Sequence, residues 1–275
     1  MKRAAAQSDR GILRAEAGKQ KFSLMRFDPA PDLACFVEQY WAIRWDLRGQ
    51  APFRQVILSY PNVNLSFEQE HKGTYAGIYG VPKKTYARIL QDEGVVLGVK
   101  FRPGGFYPFW KQPVSLLTGR ILDIRDVFGA GADAVREEVL AQEPGEPMAR
   151  LAERFLRERL PQRDDNVDLI DRIVQTVIDN RDITKVDDVA ARLGIGIRSL
   201  QRLFSRYVGV SPKWVIQRYR LQEAAELMEK GVVPDWSVLS HDLGYYDQAH
   251  FIKDFKAMIG KSPQEYVKEI GHSNN

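Results

Sequence analysis

Between Cys35 and Phe101 the apolar residues fall in short runs that are rich in aromatic and β-branched side chains. The runs CFVEQYWAIRWDL, FRQVILSY, NVNLSFEQ, TYAGIYG, TYARIL and GVVLGVKF are separated by Gly, Pro or Asn, so each reads as a strand. In the first run Phe36, Trp41, Ile43 and Trp45 partly alternate with Glu38, Arg44 and Asp46. Strands at such close spacing predict an antiparallel barrel or sandwich, closed by a glycine turn at FRPGGF (Phe101 to Phe106). From Tyr107 the period becomes helical, in SLLTGRILDIRDVFG, ADAVREEVLAQ and PMARLAERFLRERL, with Pro144 and Pro147 as breaks. The polar PQRDDN (Pro161 to Asn166) is the best boundary, and everything after it reads as helix. The expected fold class is therefore α+β with two domains. A loose arm covers 1–20, a β-rich domain with trailing helices 21–160, and an all-α domain 165–270.

The helical part contains a duplication at an offset of 51 residues. Phe204 matches Phe255, Gly209 matches Gly260, and Ser211-Pro212 matches Ser262-Pro263; Leu200 pairs with Phe251 and Arg202 with Lys253. In the first copy Thr184 and Asp187 suggest a capping box. Val186, Val189, Ala190 and Leu193 form an apolar stripe, and Gly194 supplies the helix stop. The next helix turns Leu200, Leu203, Phe204 and Tyr207 inward and leaves Arg198, Ser199, Gln201, Arg202, Ser205 and Arg206 outside. The second copy repeats this with Val238, Leu239 and Leu243, a break at Gly244, Asp247 as cap, and Phe251, Phe255 and Ile259 inward. Gln248, Ala249, His250, Lys253 and Lys256 remain for a partner. A long helix joins the copies, capped by Ser211 with Pro212 in its first turn, and running to about Lys230. At about 1.5 Å per residue it spans close to 27 Å, of the order of one turn of DNA. A helix, a glycine turn and a second helix are the parts of a helix-turn-helix, whose second helix lies in the major groove. Arg pairs bidentately with guanine and Gln with adenine. The plainer alternatives are two similar hairpins with no shared role, and charged faces that are merely solvated.

The segments LQRLFSRYVGVSPKWVIQRYRLQEA (Leu200 to Ala224) and LGYYDQAHFIKDFKAMIGKSPQEYV (Leu243 to Val267) resemble the AraC/XylS family of bacterial transcription regulators over about 100 residues. The resemblance implies seven helices and asymmetric recognition of a long double-stranded DNA site. It implies that Arg198, Gln201 and Arg202 read bases in one groove and that Gln248, Ala249, His250 and Lys253 face the next. Two positions depart from the family pattern. Gly196 stands where a capping Ser or Thr is usual, and Ala249 is too short to hydrogen-bond a base edge, leaving contact with a thymine methyl. YWAIRWDL and GVKFRPGGFYPF resemble a poorly characterised sensor-like domain often joined to this unit. Family members commonly carry a β-rich, often cupin-like sensor of a small molecule, and often dimerise; an activator also meets RNA polymerase.

Composition adjusts this picture little. The 275 residues carry a net charge of +4 and a pI near 9.0, which permits a nucleic-acid partner without demanding one. Cys35 is the only cysteine, so an intrachain disulfide and a cysteine-cluster metal site are excluded. Neither a signal peptide nor a membrane span is evident, and a cytoplasmic protein is expected. The four histidines lack metal-ligand spacing, and there is no phosphate loop, nucleophile elbow or dinucleotide fingerprint. No catalytic residue, cofactor or metal is therefore expected. Tyr40, Trp41, Trp45 and Phe53 are candidates to line an effector pocket, and Arg102 to bind an acidic ligand. Their plain alternatives are core packing and a structural turn or ion pair. The reading is a sequence-specific transcription regulator controlled by a small molecule. The alternative is a DNA-binding protein without a ligand, whose β-rich half serves only dimerisation or a partner.

Overall fold

The computed structural model describes residues 18, 20–57, 60–82, 85–231 and 235–273. The arm expected over 1–20 lies outside these, apart from Gly18 and Gln20. The expected strands form as β2 (Val37–Asp46), β3 (Phe53–Ile57), β4 (Asn64–Glu70), β5 (Gly73–Tyr79), β6 (Tyr86–Leu90) and β7 (Glu93–Phe101). Two more, β1 (Ser23–Phe27) and β8 (Ile121–Asp123), close the edges of an antiparallel sheet ordered β1-β2-β7-β4-β5-β8. β3 and β6 pair separately as a ribbon, so the described strands form an open sheet with a cover and do not close into a barrel.

Register sorts the sheet into two faces. Tyr40, Val99, Leu65 and Ile78 stand side by side, and so do Ala42, Leu97, Phe67 and Ala76. All eight are buried. They pack against Val139 of α3 (Ala132–Leu140) and against Met148, Ala152 and Phe155 of α4 (Glu146–Arg157). The opposite face carries the rows Trp41-Gly98-Ser66 and Ile43-Val96-Glu68. The ribbon covers its Trp45 end through Phe53 and Leu90. Arg88 of β6 ties the ribbon down, donating to Glu68 at 2.7 Å and Glu70 at 2.5 Å.

The stretch 115–129, expected as helix, is instead a 3-10 turn (Val114–Leu117), β8 and a short α2 (Ile124–Phe128). Gly119, at φ +71°, reverses the chain, which frees 121–123 to pair with β5. Asp123 then caps α2 by accepting from the Arg125 N–H at 2.9 Å. The FRPGGF turn leads into α1 (Tyr107–Trp110). Here Gly105 lies so close to β2 that an added Cβ would fall 2.2 Å from the Phe36 carbonyl oxygen. Gly105→Ala is expected to lower stability by about 1–3 kcal/mol, through overpacking that rigid backbone cannot relieve. Urea unfolding checks this.

Among the described residues seven helices follow: α5 (Asp165–Asp179), α6 (Val186–Leu193), α7 (Ile197–Tyr207), α8 (Pro212–Glu229), α9 (Trp236–Asp242), α10 (Gln248–Ile259) and α11 (Pro263–Ser273). They match the number that the resemblance implies. The spacer α8 is buried along its length, with Val215 and Ile216 in one apolar cluster and Leu221, Ala224, Ala225 and Met228 in another. Arg220, 1% exposed, donates to the Val177 carbonyl in the last turn of α5 and pairs with Glu223 at 3.0 Å. That satisfies one of the carbonyls a helix leaves open at its C-terminus. The first cluster runs unbroken from the sheet's helix-covered face into α5, α6 and α7.

Candidate nucleic-acid interface

Each copy of the duplication is a helix pair. In the first, the cap differs in detail from expectation: Asp188, not Asp187, accepts from the N–H groups of Thr184 and Lys185 at 3.0 and 2.8 Å. The helix starts at Val186, which places Asp188 at the third position, where a carboxylate reaches the free N–H groups. Gly194 ends it at φ +64°. Leu200, Phe204 and Tyr207 of α7 are buried, whereas Arg198, Ser199, Gln201, Arg202 and Ser205 are exposed on one face. Gly196 provides no side-chain cap.

In the second pair Asp247 accepts from the His250 N–H at 2.7 Å and caps α10. Phe251, Phe255 and Ile259 are buried; Gln248, Ala249, His250, Lys253 and Lys256 are exposed. Val238, expected inward, is 58% exposed, and Leu239 with Ser240 takes the buried face of α9. Three consecutive apolar or small residues there left the helical phase ambiguous by one position. Replacing Asp247 by Ala is expected to cost about 0.5–2 kcal/mol, the usual worth of such a cap. Thermal unfolding checks this.

Two of the exposed side chains have partners within the chain. His250 sits 3.5 Å from Asp254 and edge-on to the Tyr245 ring. Arg206 reaches out of the helical half: its guanidinium lies 4.9 Å over the Tyr107 ring and donates to the Tyr107 hydroxyl at 2.6 Å. Tyr107 also packs on Tyr207, with ring centroids 4.1 Å apart. The Tyr207 hydroxyl donates to Asp164 at 2.8 Å; burial, then that carboxylate, pushes its pKa up to about 12. Nearby, Thr118 donates to the Gly209 carbonyl at 2.6 Å. At α10 the Thr85 N–H donates to the Ala257 carbonyl at 3.2 Å. Both second helices are thus fastened to the β-rich half near their C-terminal ends. These partners lie far apart in sequence, and no local spacing announces them. Tyr246, 97% exposed in the turn before α10, also escaped the sequence reading. A tyrosine beside a helix cap could have drawn attention to it.

The candidate pocket residues divide by strand parity. Trp41 and Trp45 line a half-open cavity of about 780 Å³ between the sheet, the ribbon and helices α5 and α8. Tyr40, one residue out of phase, points to the opposite face and is 1% exposed in the core. Phe53 packs behind Trp45 in the ribbon cluster and does not line the cavity. Arg102 lies on the cavity wall with its charge engaged, 3.2 Å from Asp171 and 2.7 Å from the Ala34 carbonyl. Sequence reasoning missed the roof: Tyr219, Gln222 and Glu226 of α8. Tyr60 joins them, accepting from Gln222 at 3.1 Å and lying between the cations of Lys100 (4.6 Å) and the wholly buried Arg218 (5.1 Å). Burial drives the Tyr60 hydroxyl pKa up and the Arg218 pKa down. Cys35 is half-buried. Among the described residues no helix is long and apolar enough to cross a membrane.

Comparison with known proteins follows this division. A family described as a helix-turn-helix domain matches residues 189–269, and a domain of unknown function (DUF6597) matches residues 25–123. The chain is 37% identical over 102 residues to the HTH-type transcriptional regulator MtrA of Neisseria gonorrhoeae, covering 36% of this chain and 33% of that one. It is 26% identical over 160 residues to the Msm operon regulatory protein of Streptococcus mutans, covering 57% and 56%. The chain therefore spans about a third to about half of the length of these relatives. Among solved structures, a probable AraC family transcriptional regulator from Rhodopseudomonas palustris is 26% identical, with 36% of this chain and 93% of that one covered and a TM-score of 0.32. The chain thus joins a DUF6597 domain, over residues 25–123, to an AraC-type helix-turn-helix domain, over residues 189–269.

Proposed function

We propose that this protein is a sequence-specific DNA-binding transcription regulator that reads two successive major grooves with α7 and α10, under the control of a small molecule. One observation carries the reading. The second helix of each helix-turn-helix keeps its apolar face buried and leaves a polar face open, with Arg198, Gln201 and Arg202 on one and Gln248, His250 and Lys253 on the other. The 18-residue spacer α8 separates them, at about 1.5 Å per residue. Residues 165–270 form the reading unit and 21–160 the sensing unit. Arg198, Gln201, Arg202 and Gln248 meet base edges, Ala249 a thymine methyl, and Ser199, Arg206, His250, Lys253 and Lys256 phosphates or bases. The cavity of about 780 Å³ is the size of small-molecule sites, which favours an effector over a half used only for dimerisation or a protein partner.

Salt dependence tests the DNA reading. Affinity for duplex DNA falls with rising salt by about 0.9 decade per decade for each phosphate neutralised, and we expect a slope of several. A flat dependence, or absence of binding at low salt, contradicts the reading. Arg206 adds a second check, because its bond to Tyr107 competes with a phosphate contact. Tyr107→Phe removes that acceptor, a hydrogen bond to a charged group worth about 1.5–3 kcal/mol at most. It is expected to tighten DNA binding by about two- to tenfold, measured by titration at fixed salt.

A further inference from the structure

The cavity's lining indicates what it takes. Trp41 and Trp45 stand directly opposite Gly98 and Gly94 on β7. A Cβ at either glycine would fall 2.0 or 2.2 Å from the facing indole. The rings therefore lie folded down over the neighbouring strand, where a side chain would otherwise rise. With Ile43 between them on the same face, they form a flat apolar floor about 13 Å long, at about 3.3 Å per residue. Trp41 is only half-buried, so part of its ring is open to the cavity.

Most of the charges around this floor are matched within the protein. Lys100 pairs with Glu38 at 2.8 Å, Arg88 with Glu68 at 2.7 Å, Arg102 with Asp171 at 3.2 Å and Arg181 with Glu223 at 3.9 Å. Glu226 accepts from Gln222 at 2.9 Å, Arg26 is also engaged within the chain, and Arg120, exposed at the rim, donates to the Leu116 carbonyl at 3.5 Å. A charged ligand would have to break one of these pairs, leaving its partner under-solvated. The remaining polar lining is neutral and includes the carboxamides of Gln39, Asn64, Gln175 and Gln222 and the phenols of Tyr60 and Tyr219. Such groups offer both donors and acceptors.

We propose that the cavity binds an uncharged, flat aromatic molecule with hydrogen-bonding groups on its edge, stacked on Trp41. The assignment rests on reading the cavity as the effector site. The test is calorimetric titration of the full chain with three probes that share one ring system: 2-naphthamide, 2-naphthoate and (2-naphthyl)methylammonium. The amide is expected to bind at least about tenfold more tightly than either ion, since burying an uncompensated charge is the costlier event. Trp41→Ala is expected to weaken the amide about tenfold and Trp41→Phe to retain it, because either ring can stack. DNA affinity without a probe confirms that each variant is folded. Asn64→Leu is the second variant, and reduces the preference for the amide over unsubstituted naphthalene.

Tighter binding by an ion overturns the ligand class and leaves the effector site standing. Equal amide binding by Trp41→Ala and the parent overturns the stacking. If none of the three binds at millimolar concentration, the effector site falls together with the class. DNA binding, measured separately, is untouched by any of these outcomes.

Discussion

Arg202→Ala combined with Lys253→Ala is expected to abolish discrimination between the protein's own site and unrelated DNA while leaving the fold intact. Both side chains are exposed, so their removal creates no cavity. Each sits at the same place in its copy of the duplication, on the open face of the second helix of its pair. A bidentate arginine–guanine pair is worth about 1–3 kcal/mol of discrimination, so Arg202→Ala alone should cost about ten- to a hundredfold at the matching site. The two residues lie on separate helices, and the effects of well-separated substitutions add. The double variant should therefore lose about a hundredfold or more. Non-specific binding should fall far less, since the other exposed Arg and Lys side chains would still be available for phosphate contacts. Titration of specific and scrambled duplexes at one salt concentration checks this.

Phe255→Ala is expected to unfold the second helix-turn-helix before the first. Phe255 is fully buried between Phe251 and Tyr266, in a cluster that holds α9, α10 and α11 against one end of α8. Truncating a buried phenylalanine costs about 3–5 kcal/mol. The loss falls on this smaller cluster, because the first pair belongs to the larger core shared with the β-rich half. The variant should keep contact with one half-site and lose the other. Footprinting shows which half disappears, and hydrogen exchange locates the loosened helices. Uniform loss of protection across α5 to α8 would mean that the two pairs fold as one unit.

The helical half was legible almost residue by residue because its signals are local. Gly194, Asp247 and Ser211-Pro212 mark helix ends through backbone chemistry that neighbours supply, and each does so in the structure. Errors of phase arose where the pattern was short, as at Val238 and at the cap of α6. The strands of the β-rich half were legible too, but their closure was not. An open sheet and a barrel share one alternation, and the choice depends on β1 and β8, two edge strands of weak pattern. The cavity was half legible: aromatic enrichment singled out Trp41 and Trp45, but Tyr40 fell on the other face by parity. Gly94 and Gly98, whose missing side chains admit the indoles, carry no sign of that role until β2 and β7 are in register. The roof on α8 and the Arg206–Tyr107 contact are products of how the halves pack, at sequence separations that composition and periodicity do not reach.

The most direct measurement is selection of bound fragments from a genomic DNA library at about 150 mM salt, near the physiological range. The full chain, the Arg202→Ala, Lys253→Ala double variant and the helical half over 165–270 are run in parallel. The account predicts that the full chain or the helical half enriches a site with two elements about one helical turn apart, and that the double variant loses the enrichment. Enrichment by the helical half alone would mean that the β-rich half restrains it. If neither of them enriches any sequence, the claim that α7 and α10 read DNA is contradicted.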